Sequence, residues 1–451
     1  MTVNHTSDKR LAHRITTHTA HVGVIGLGYV GLPLAVALAE AGFSLTGVDL
    51  DPRKVDAIRA GRSPIGDITD DRIAPLIQAG TLRATADYAD LHACDAIFVC
   101  VPTPFDANKT PDLRYVVTAA DGIAGILRPG QLVILQSTTY PGTTEEVIQP
   151  RLEAGGLRAG QDFFLAFCPE RIDPGVPEHT VRNTPKVVGG VTPACAELSA
   201  ALLATLGPEV RIVSTPRVAE MTKLLENIFR SVNIALVNEL ALLSERMGID
   251  IWEVITAAAT KPFGFMPFWP GPGVGGHCIP IDPYYLAWKA REYDFSTRFI
   301  ELAADINQAM PHHVANLVVR QLNARGRAAK SARVLILGVA FKPDVDDPRH
   351  SPAERVIELL LEHGAEVRYH DPHIPEFHVG ASPFHRAGEV LRSVPLTPAE
   401  LAAADIAVIL AAHRAVDYAQ VLAHAPAVVD TTRATLGATA PNLTRLGGGE
   451  G

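Results

Sequence analysis

Cysteine is scarce in this chain, with five in 451 residues. Cys94, Cys100, Cys168, Cys195 and Cys278 are odd in number and scattered, and no two form a Cys-x-x-Cys pair. That excludes a disulfide framework and a cysteine-based zinc site, and it fits a reducing, cytoplasmic compartment. No apolar run approaches the ~18 residues needed to span a bilayer, so no membrane span is expected. No Lys/Arg run forms a basic stripe, and the net charge is −9 with a pI near 6.0; nucleic acid is not an expected partner. Residues 1–20 are polar and basic without an apolar stretch, unlike a secretory signal, and are expected to be a disordered tail. Their neighbourhood holds His13, His18 and His21, too sparse to argue for metal, and no metal site is expected. What is present is ordinary for a globular protein, 47% hydrophobic and 20% charged residues. The length suggests about three domains at roughly 150 residues each.

From His21 the pattern becomes regular. Val22–Ile25 reads as a strand, a glycine-rich turn follows, Leu32–Ala41 has helical spacing, and Phe43–Val48 reads as the next strand. Further strand-like runs at Ala96–Val101, Leu132–Leu135, Phe163–Phe167 and Lys186–Val188 alternate with helical stretches. Such alternation predicts a parallel sheet with helices on both faces. The segment 216–247 has helical periodicity over roughly 30 residues, about 45 Å, and a helix that long usually bridges domains or dimerises. A second α/β half starts near Ser331, with strands at Glu366–His370, Ile406–Leu410 and Ala427–Val429. The expected fold is therefore α/β, two Rossmann-like parallel-sheet domains joined by a central long-helix region. The expected divisions are 1–20, 21–214, 215–325, 326–440 and a frayed glycine-rich tail at 441–451.

Gly26-Leu27-Gly28-Tyr29-Val30-Gly31 matches G-x-G-x-x-G between a strand and a helix, the context that motif requires. Gly26 permits the tight turn, Gly28 the approach of a pyrophosphate, and Gly31 close helix–strand packing. The helix N-terminus offers free N–H groups to the phosphates. Asp49 closes the second strand, where an acid accepts from the ribose hydroxyls and repels a 2′-phosphate, favouring NAD.

The second motif is Gly271–Tyr293, in which a glycine-rich loop leads to Cys278 and Pro280 suits a first helical turn. A thiol close to a helix N-terminus is biased toward thiolate, and His277 adds positive charge. Asp282 falls within the same first turn. The other four cysteines read as small core hydrophobes. On the long helix, Glu220, Lys223, Asn227 and Arg230 share one face by spacing; these residues fit a solvated face as well as a site.

Taken together, GLGYVGLPLA, STTYPGTTEE, PERIDPG, AEMTKLLEN, PGPGVGGHCIPIDP and GVAFKPDVDD resemble the UDP-glucose/GDP-mannose dehydrogenase family over roughly residues 22–430. The resemblance implies an NAD-dependent four-electron oxidation of the C6 alcohol of a UDP-sugar to a carboxylate. QSTTYPGTTEE, ATKPFGFMPF and LENIFRSVNIALVNEL imply UDP-N-acetylglucosamine as the preferred sugar. UDP-glucose, UDP-N-acetylgalactosamine, UDP-N-acetylmannosamine and GDP-mannose are the alternatives within the class, and a catalytically silent NAD/UDP-sugar binding protein is the alternative outside it. Carried over by position, Cys278 is the implied nucleophile and Lys223 and Asn227 the oxyanion partners. Asp282 would order water, Glu170 would be the general base of thioester hydrolysis, and Thr138 would position water or nicotinamide. The implied NAD contacts are Gly26, Gly28, Tyr29, Val30, Gly31, Asp49, Lys54, Thr103, Thr138 and Arg349. The implied substrate contacts are Arg171, Lys223, Asn227, Phe268, Gly273, Phe341 and Lys342. The long helix would make a homodimer contact. Two departures from the family pattern are His350 in place of an acid, and Arg433 one place late, which leaves it without an assigned role.

Overall fold

The structure is a computed structural model that describes residues 5–66, 68–106, 110–172, 179–276, 279–380 and 388–449. The chain divides into two compact units, Met1–Glu226 with Tyr284–Phe295, and Asn227–Pro283 with Ser296–Gly451. The expected central segment, 215–325, is thus shared out between the two.

In the amino-terminal unit the strands are β1 (His21–Ile25), β2 (Ser44–Val48), β3 (Leu82–Thr85), β4 (Ala96–Val99), β5 (Leu132–Leu135), β6 (Phe164–Phe167), β7 (Lys186–Gly190) and β8 (Val210–Val213). They form one sheet in the order β3-β2-β1-β4-β5-β6-β7-β8. The first six follow the doubly wound dinucleotide-binding order. All neighbouring pairs are parallel except β6 with β7. Strands buried on both faces read as continuous apolar runs. Alternate residues of β4 accordingly go to opposite cores, Ala96 and Phe98 to one and Ile97 and Val99 to the other.

The carboxy-terminal unit carries β9 (Arg333–Leu337), β10 (Glu366–His370), β11 (Glu376–Val379), β12 (Glu389–Arg392), β13 (Ile406–Ile409), β14 (Val428–Asp430) and β15 (Leu443–Arg445). Its parallel sheet has the order β10-β9-β13-β14-β15, and β11 and β12 pair as a separate antiparallel ribbon. The helix Pro216–Met247 is continuous over 32 residues. A second long helix, Arg298–Ala324, has Pro311 within it.

Both expected tails contain ordered elements. His5–Thr16 is a helix, because Leu11 and Ile15, one turn apart, are buried in the first core. At the other end β15 adds to the second sheet. Leu446 is fully buried, and its carbonyl accepts the Trp252 indole N–H at 2.7 Å. A Gly-rich composition concealed one buried leucine and one strand.

Candidate active site

The dinucleotide loop lies at the carboxyl ends of β1, β2 and β4, where the strand order reverses and such sheets bind ligands. Gly26 has φ +91, and a Cβ there would stand 2.4 Å from the Cys100 carbonyl oxygen. A Cβ on Gly31 would come within 1.8 Å of the Gly26 carbonyl oxygen, so neither position tolerates a side chain. The helix Gly31–Glu40 starts at Val30 without a side-chain cap, which leaves its positive end to a ligand. Tyr29 and Val30 pack half-buried against the first core. The Asp49 carboxylate accepts from the Leu27 backbone N–H at 2.8 Å, the Asp51 N–H at 2.9 Å and Lys54 Nζ at 3.1 Å. It braces the loop while Lys54 reaches toward Gly28, 4.0 Å from where a Cβ would be. A glycine cradle, an uncapped helix and an acid at the second strand fit NAD.

Continuing across the sheet, Thr103 follows β4 and is buried, its carbonyl accepting the Tyr285 hydroxyl at 2.8 Å. Thr138 follows β5, half-buried beside Ser137, whose hydroxyl donates to the Val101 carbonyl at 2.8 Å. Glu170 and Arg171 follow β6. The Arg171 guanidinium pairs with Glu226 at 2.6 Å and donates to the Pro185 carbonyl at 2.8 Å. These side chains thus line successive strand ends of one unit.

Glu170 is buried and heavily hydrogen-bonded. Its Oε1 accepts from Lys186 Nζ at 2.7 Å, Arg171 N at 2.8 Å and Ile172 N at 3.0 Å. Its Oε2 accepts from Lys186 Nζ at 2.9 Å and Gln136 Nε2 at 2.8 Å. A carboxylate has about four lone-pair sites, and these hydrogen bonds fill them. These donors hold the carboxylate in place at the end of β6. Neither Lys186 nor Gln136 stood out in the sequence, although a lysine opening an apolar strand is the available signal of a paired buried charge.

On the helix Pro216–Met247, Glu220, Lys223 and Asn227 are buried, whereas Arg230 is exposed and Ser231 takes its place on the buried face. The solvated-face reading therefore fails for the first three. Glu220 accepts from Gly142 N at 2.6 Å, Thr144 N at 2.9 Å and the Thr144 hydroxyl at 2.7 Å, fixing the loop that follows Thr138. Burial raises the Glu220 carboxyl above its usual range against these donors. No carboxylate among the described residues pairs with Lys223, a buried ammonium.

In the carboxy-terminal unit Asn227 Nδ2 donates to Asp282 Oδ2 at 2.5 Å, both residues buried. Asp282 begins the helix Asp282–Ala290, so Pro280 lies in the preceding turn, ahead of the helix it was expected to open. Cys278 and His277 lie outside the described residues. The glycine run is explained by close packing. A Cβ on Gly275 would meet Phe341, the His350 carbonyl and Pro352 within 2.8–2.9 Å, and one on Gly276 (φ +86) would meet the Phe341 ring at 2.9 Å. Gly273 has φ +134. Asn238 Oδ1 accepts the Gly271 N–H at 2.9 Å and its Nδ2 donates to Asn307 at 2.9 Å, an anchor the sequence did not reveal. Phe268 meets Phe229 edge-on at 5.7 Å. Lys342 Nζ lies 5.9 Å from the Phe341 ring centroid. Arg349 forks onto Asp347, and the Arg433 guanidinium stacks on Trp269 at 3.9 Å.

The four remaining cysteines are buried and free. Burial pushes the Cys94 and Cys168 thiols up to about 12 and raises Cys100 well above its ordinary value, so none of these three is a ready nucleophile. Asp344, His373 and His413 approach one another closely enough to hold an ion. However, His413 Nδ1 accepts the Asp344 N–H and its Nε2 donates to Asp371, both at 3.0 Å, which occupies both ring nitrogens.

Comparison with known proteins agrees along the chain. Residues 20–206 match the NAD binding domain of the UDP-glucose/GDP-mannose dehydrogenase family, 217–309 its central domain and 335–436 its UDP binding domain. The UDP-N-acetyl-D-glucosamine 6-dehydrogenase of Pseudomonas aeruginosa is 41% identical over 355 residues, 78% of this chain and 82% of that protein. The NDP-N-acetyl-D-galactosaminuronic acid dehydrogenase of Ralstonia nicotianae is 36% identical over 404 residues, 87% of this chain and 90% of that one. The solved UDP-N-acetylmannosamine dehydrogenase of Pyrococcus horikoshii superposes with a TM-score of 0.84 at 31% identity, covering 95% of this chain and 99% of that one. No helix among the described residues is long and apolar enough to cross a membrane. The chain belongs to the UDP-glucose/GDP-mannose dehydrogenase family, a family of NAD-dependent nucleotide-sugar dehydrogenases.

Proposed function

We propose that this protein oxidises the C6 alcohol of a UDP-N-acetylhexosamine to the uronic acid, with UDP-N-acetylglucosamine preferred. Relatives named for acetylated glucosamine, mannosamine and galactosaminuronic acid support the N-acetylhexosamine class. The 41% identity to the first supports the finer choice. The observation that carries the chemistry is the buried Asn227–Asp282 pair, of which Asp282 stands four residues beyond Cys278 in the chain.

NAD, when bound, accepts hydride from the substrate carbon. Gly26, Gly28, Tyr29, Val30, Gly31 and Asp49 hold it, with Lys54, Thr103, Thr138 and Arg349 as further contacts. Asp49, already braced by Lys54, takes the ribose hydroxyls. Lys223, buried without a carboxylate partner among the described residues, supports the oxyanion that forms when the C6 hydroxyl loses its proton. Asn227 donates to the same oxygen, and Asp282 orients its amide. The Cys278 thiolate adds to the C6 aldehyde and retains it as a thiohemiacetal, which loses a second hydride, with a second NAD as the oxidant, to become a thioester. Water positioned by Thr138 and deprotonated by Glu170 then releases the carboxylate and the free thiol. Arg171, Phe268, Gly273, Phe341 and Lys342 bind the nucleotide sugar, Lys342 at the diphosphate.

The long helix carries a second proposal, a homodimer in the cytoplasm. Met221, Leu225, Phe229, Leu236, Leu240 and Leu243 recur at helical spacing and are all exposed. A stripe of that length is expected to be covered by a second copy of the chain. The experiment for the reaction is Cys278→Ser. It should abolish steady-state NADH formation while leaving NAD affinity intact; normal turnover by this variant contradicts the covalent route.

A further inference from the structure

The helix Asp282–Ala290 opens four residues beyond Cys278. From Tyr284 onward it belongs to the amino-terminal unit, where it grips two of the loops that follow strands. Tyr285 is buried, and its hydroxyl lies 2.8 Å from the Thr103 carbonyl oxygen and 2.9 Å from that of Pro104, one proton shared between two acceptors. The Tyr284 ring stands 6.2 Å from that of Phe105 in the same loop. Farther along the helix, Trp288 meets Tyr140 at 5.1 Å, and Lys289 Nζ donates to Glu146 at 2.7 Å while lying over the Tyr140 ring. Tyr140 stands two residues beyond Thr138. The helix therefore holds the loop after β4 near its start and the loop after β5 near its end.

We propose that Tyr285 is a positioning residue for the nicotinamide half of NAD. In the doubly wound order a dinucleotide straddles the switch point between β1 and β4. Asp49, after β2, takes the adenosine ribose, so the nicotinamide half extends over the ends of β4 and β5. Those strand ends carry the two loops that the helix holds. In the first loop the Thr103 and Pro104 carbonyls turn to Tyr285, whereas the Thr103 N–H and hydroxyl have no partner among the described residues. Pinning the carbonyls leaves the remaining polar groups of Thr103 to the cofactor. Tyr285 acts through Thr103, and the inference rests on the reading of Thr103 as an NAD contact. It goes beyond that reading by assigning the loop's geometry to a residue 182 positions away in the chain. The Tyr285 ring packs and its hydroxyl positions, so one substitution separates the two.

The test compares wild type with Tyr285→Phe, which keeps the ring and removes only the hydroxyl. A second variant, Lys289→Met, releases the helix from Glu146 while Arg217 still pairs with that carboxylate. Affinities for NAD and for ADP, which spans only the adenosine half, are measured by titration calorimetry, beside kcat and the two KM values. Tyr285→Phe should weaken NAD about three- to tenfold, the range of one neutral hydrogen bond, with ADP within about twofold of wild type. KM for NAD should rise while KM for the nucleotide sugar holds. A merely structural hydroxyl would instead lower kcat through the active fraction, or weaken both ligands alike. Either result without a selective loss of NAD overturns the proposal, as does an unchanged NAD affinity. Lys289→Met should shift the NAD-to-ADP ratio in the same direction, and it decides by that ratio should Tyr285→Phe not fold. A wild type that binds ADP but not NAD, or forms no NADH with any UDP-N-acetylhexosamine, would sink the functional reading and the inference with it. That outcome is separate from an active wild type with an unaffected Tyr285→Phe, which overturns the inference alone.

Discussion

His413 Nε2 donates to Asp371 Oδ2 at 3.0 Å, and both side chains are fully buried. Asp371 follows β10 as Asp49 follows β2, and the likeness continues around each carboxylate. Leu27 N donates to Asp49 and Val339 N to Asp371, each at 2.8 Å. A Cβ on Gly26 would strike the Cys100 carbonyl at 2.4 Å, and one on Gly338 would strike the Ala411 carbonyl at 2.5 Å. Each unit therefore repeats the same strand–glycine–acid frame. In the second, His413 takes the place on Asp371 that Lys54 takes on Asp49, Ala340 and Pro343 stand where the first has Gly28 and Gly31, and Phe341 and Lys342 where it has Tyr29 and Val30.

This clasp makes the carboxy-terminal unit acid-sensitive. Burial alone would raise the Asp371 carboxyl. The His413 hydrogen bond and the Val339 and His373 N–H groups outweigh it and hold the carboxyl below its usual value. A depressed carboxylate pKa stabilises the fold above the unfolded value, about 3.9, and that contribution is lost as pH falls through the folded value. Stability should therefore drop as pH falls below about 4. Asp371→Asn should be less stable at neutral pH and show a shallower acid limb. Denaturant titrations across pH check this, and an acid limb as steep as wild type contradicts it.

Asp49→Ala should weaken NAD binding by roughly tenfold or more, since hydrogen bonds to a charged group contribute about 1.5–3 kcal/mol. The loss includes the bracing of Leu27 N and Lys54. Isothermal titration of NAD measures it, and an unchanged dissociation constant removes Asp49 from the ribose site.

Lys223→Met should lower kcat by about 10²–10³-fold, the usual cost of removing a preorganised oxyanion partner. NAD affinity should hold. A variant with wild-type kcat would return Lys223 to a purely structural role.

The sequence disclosed those parts of the fold and site that local spacing encodes. G-x-G-x-x-G between a strand and a helix announced the dinucleotide frame, and β5 and β10 were read to the residue, because apolar runs bounded by turns leave little choice. What escaped depends on contacts distant in sequence. Lys186 meets Glu170 across 16 residues and Asn238 meets Asn307 across 69. The end helix at His5–Thr16 rests on Leu11 and Ile15 with Ala12 partly buried beside them, too few apolar residues to outweigh a polar composition. Arg230 was grouped with Lys223 by three- and four-residue spacing, but the buried face drifts and passes through Ser231 instead.

Leu240→Glu places a charge within the exposed stripe of the long helix. In solution the wild-type chain should have about twice its monomer mass of 48.2 kDa. The variant should run as a monomer by light scattering. A monomeric wild type, or a variant that stays dimeric, contradicts the helix as the interface.

The most direct measurement is NADH formed from limiting UDP-N-acetylglucosamine, beside UDP-N-acetylgalactosamine, UDP-N-acetylmannosamine and UDP-glucose, each run to completion. The account predicts about two NADH per UDP-N-acetylglucosamine, as a four-electron oxidation held on a covalent nucleophile requires, with slower reaction on the others. About one NADH per sugar, with the aldehyde released, would contradict it.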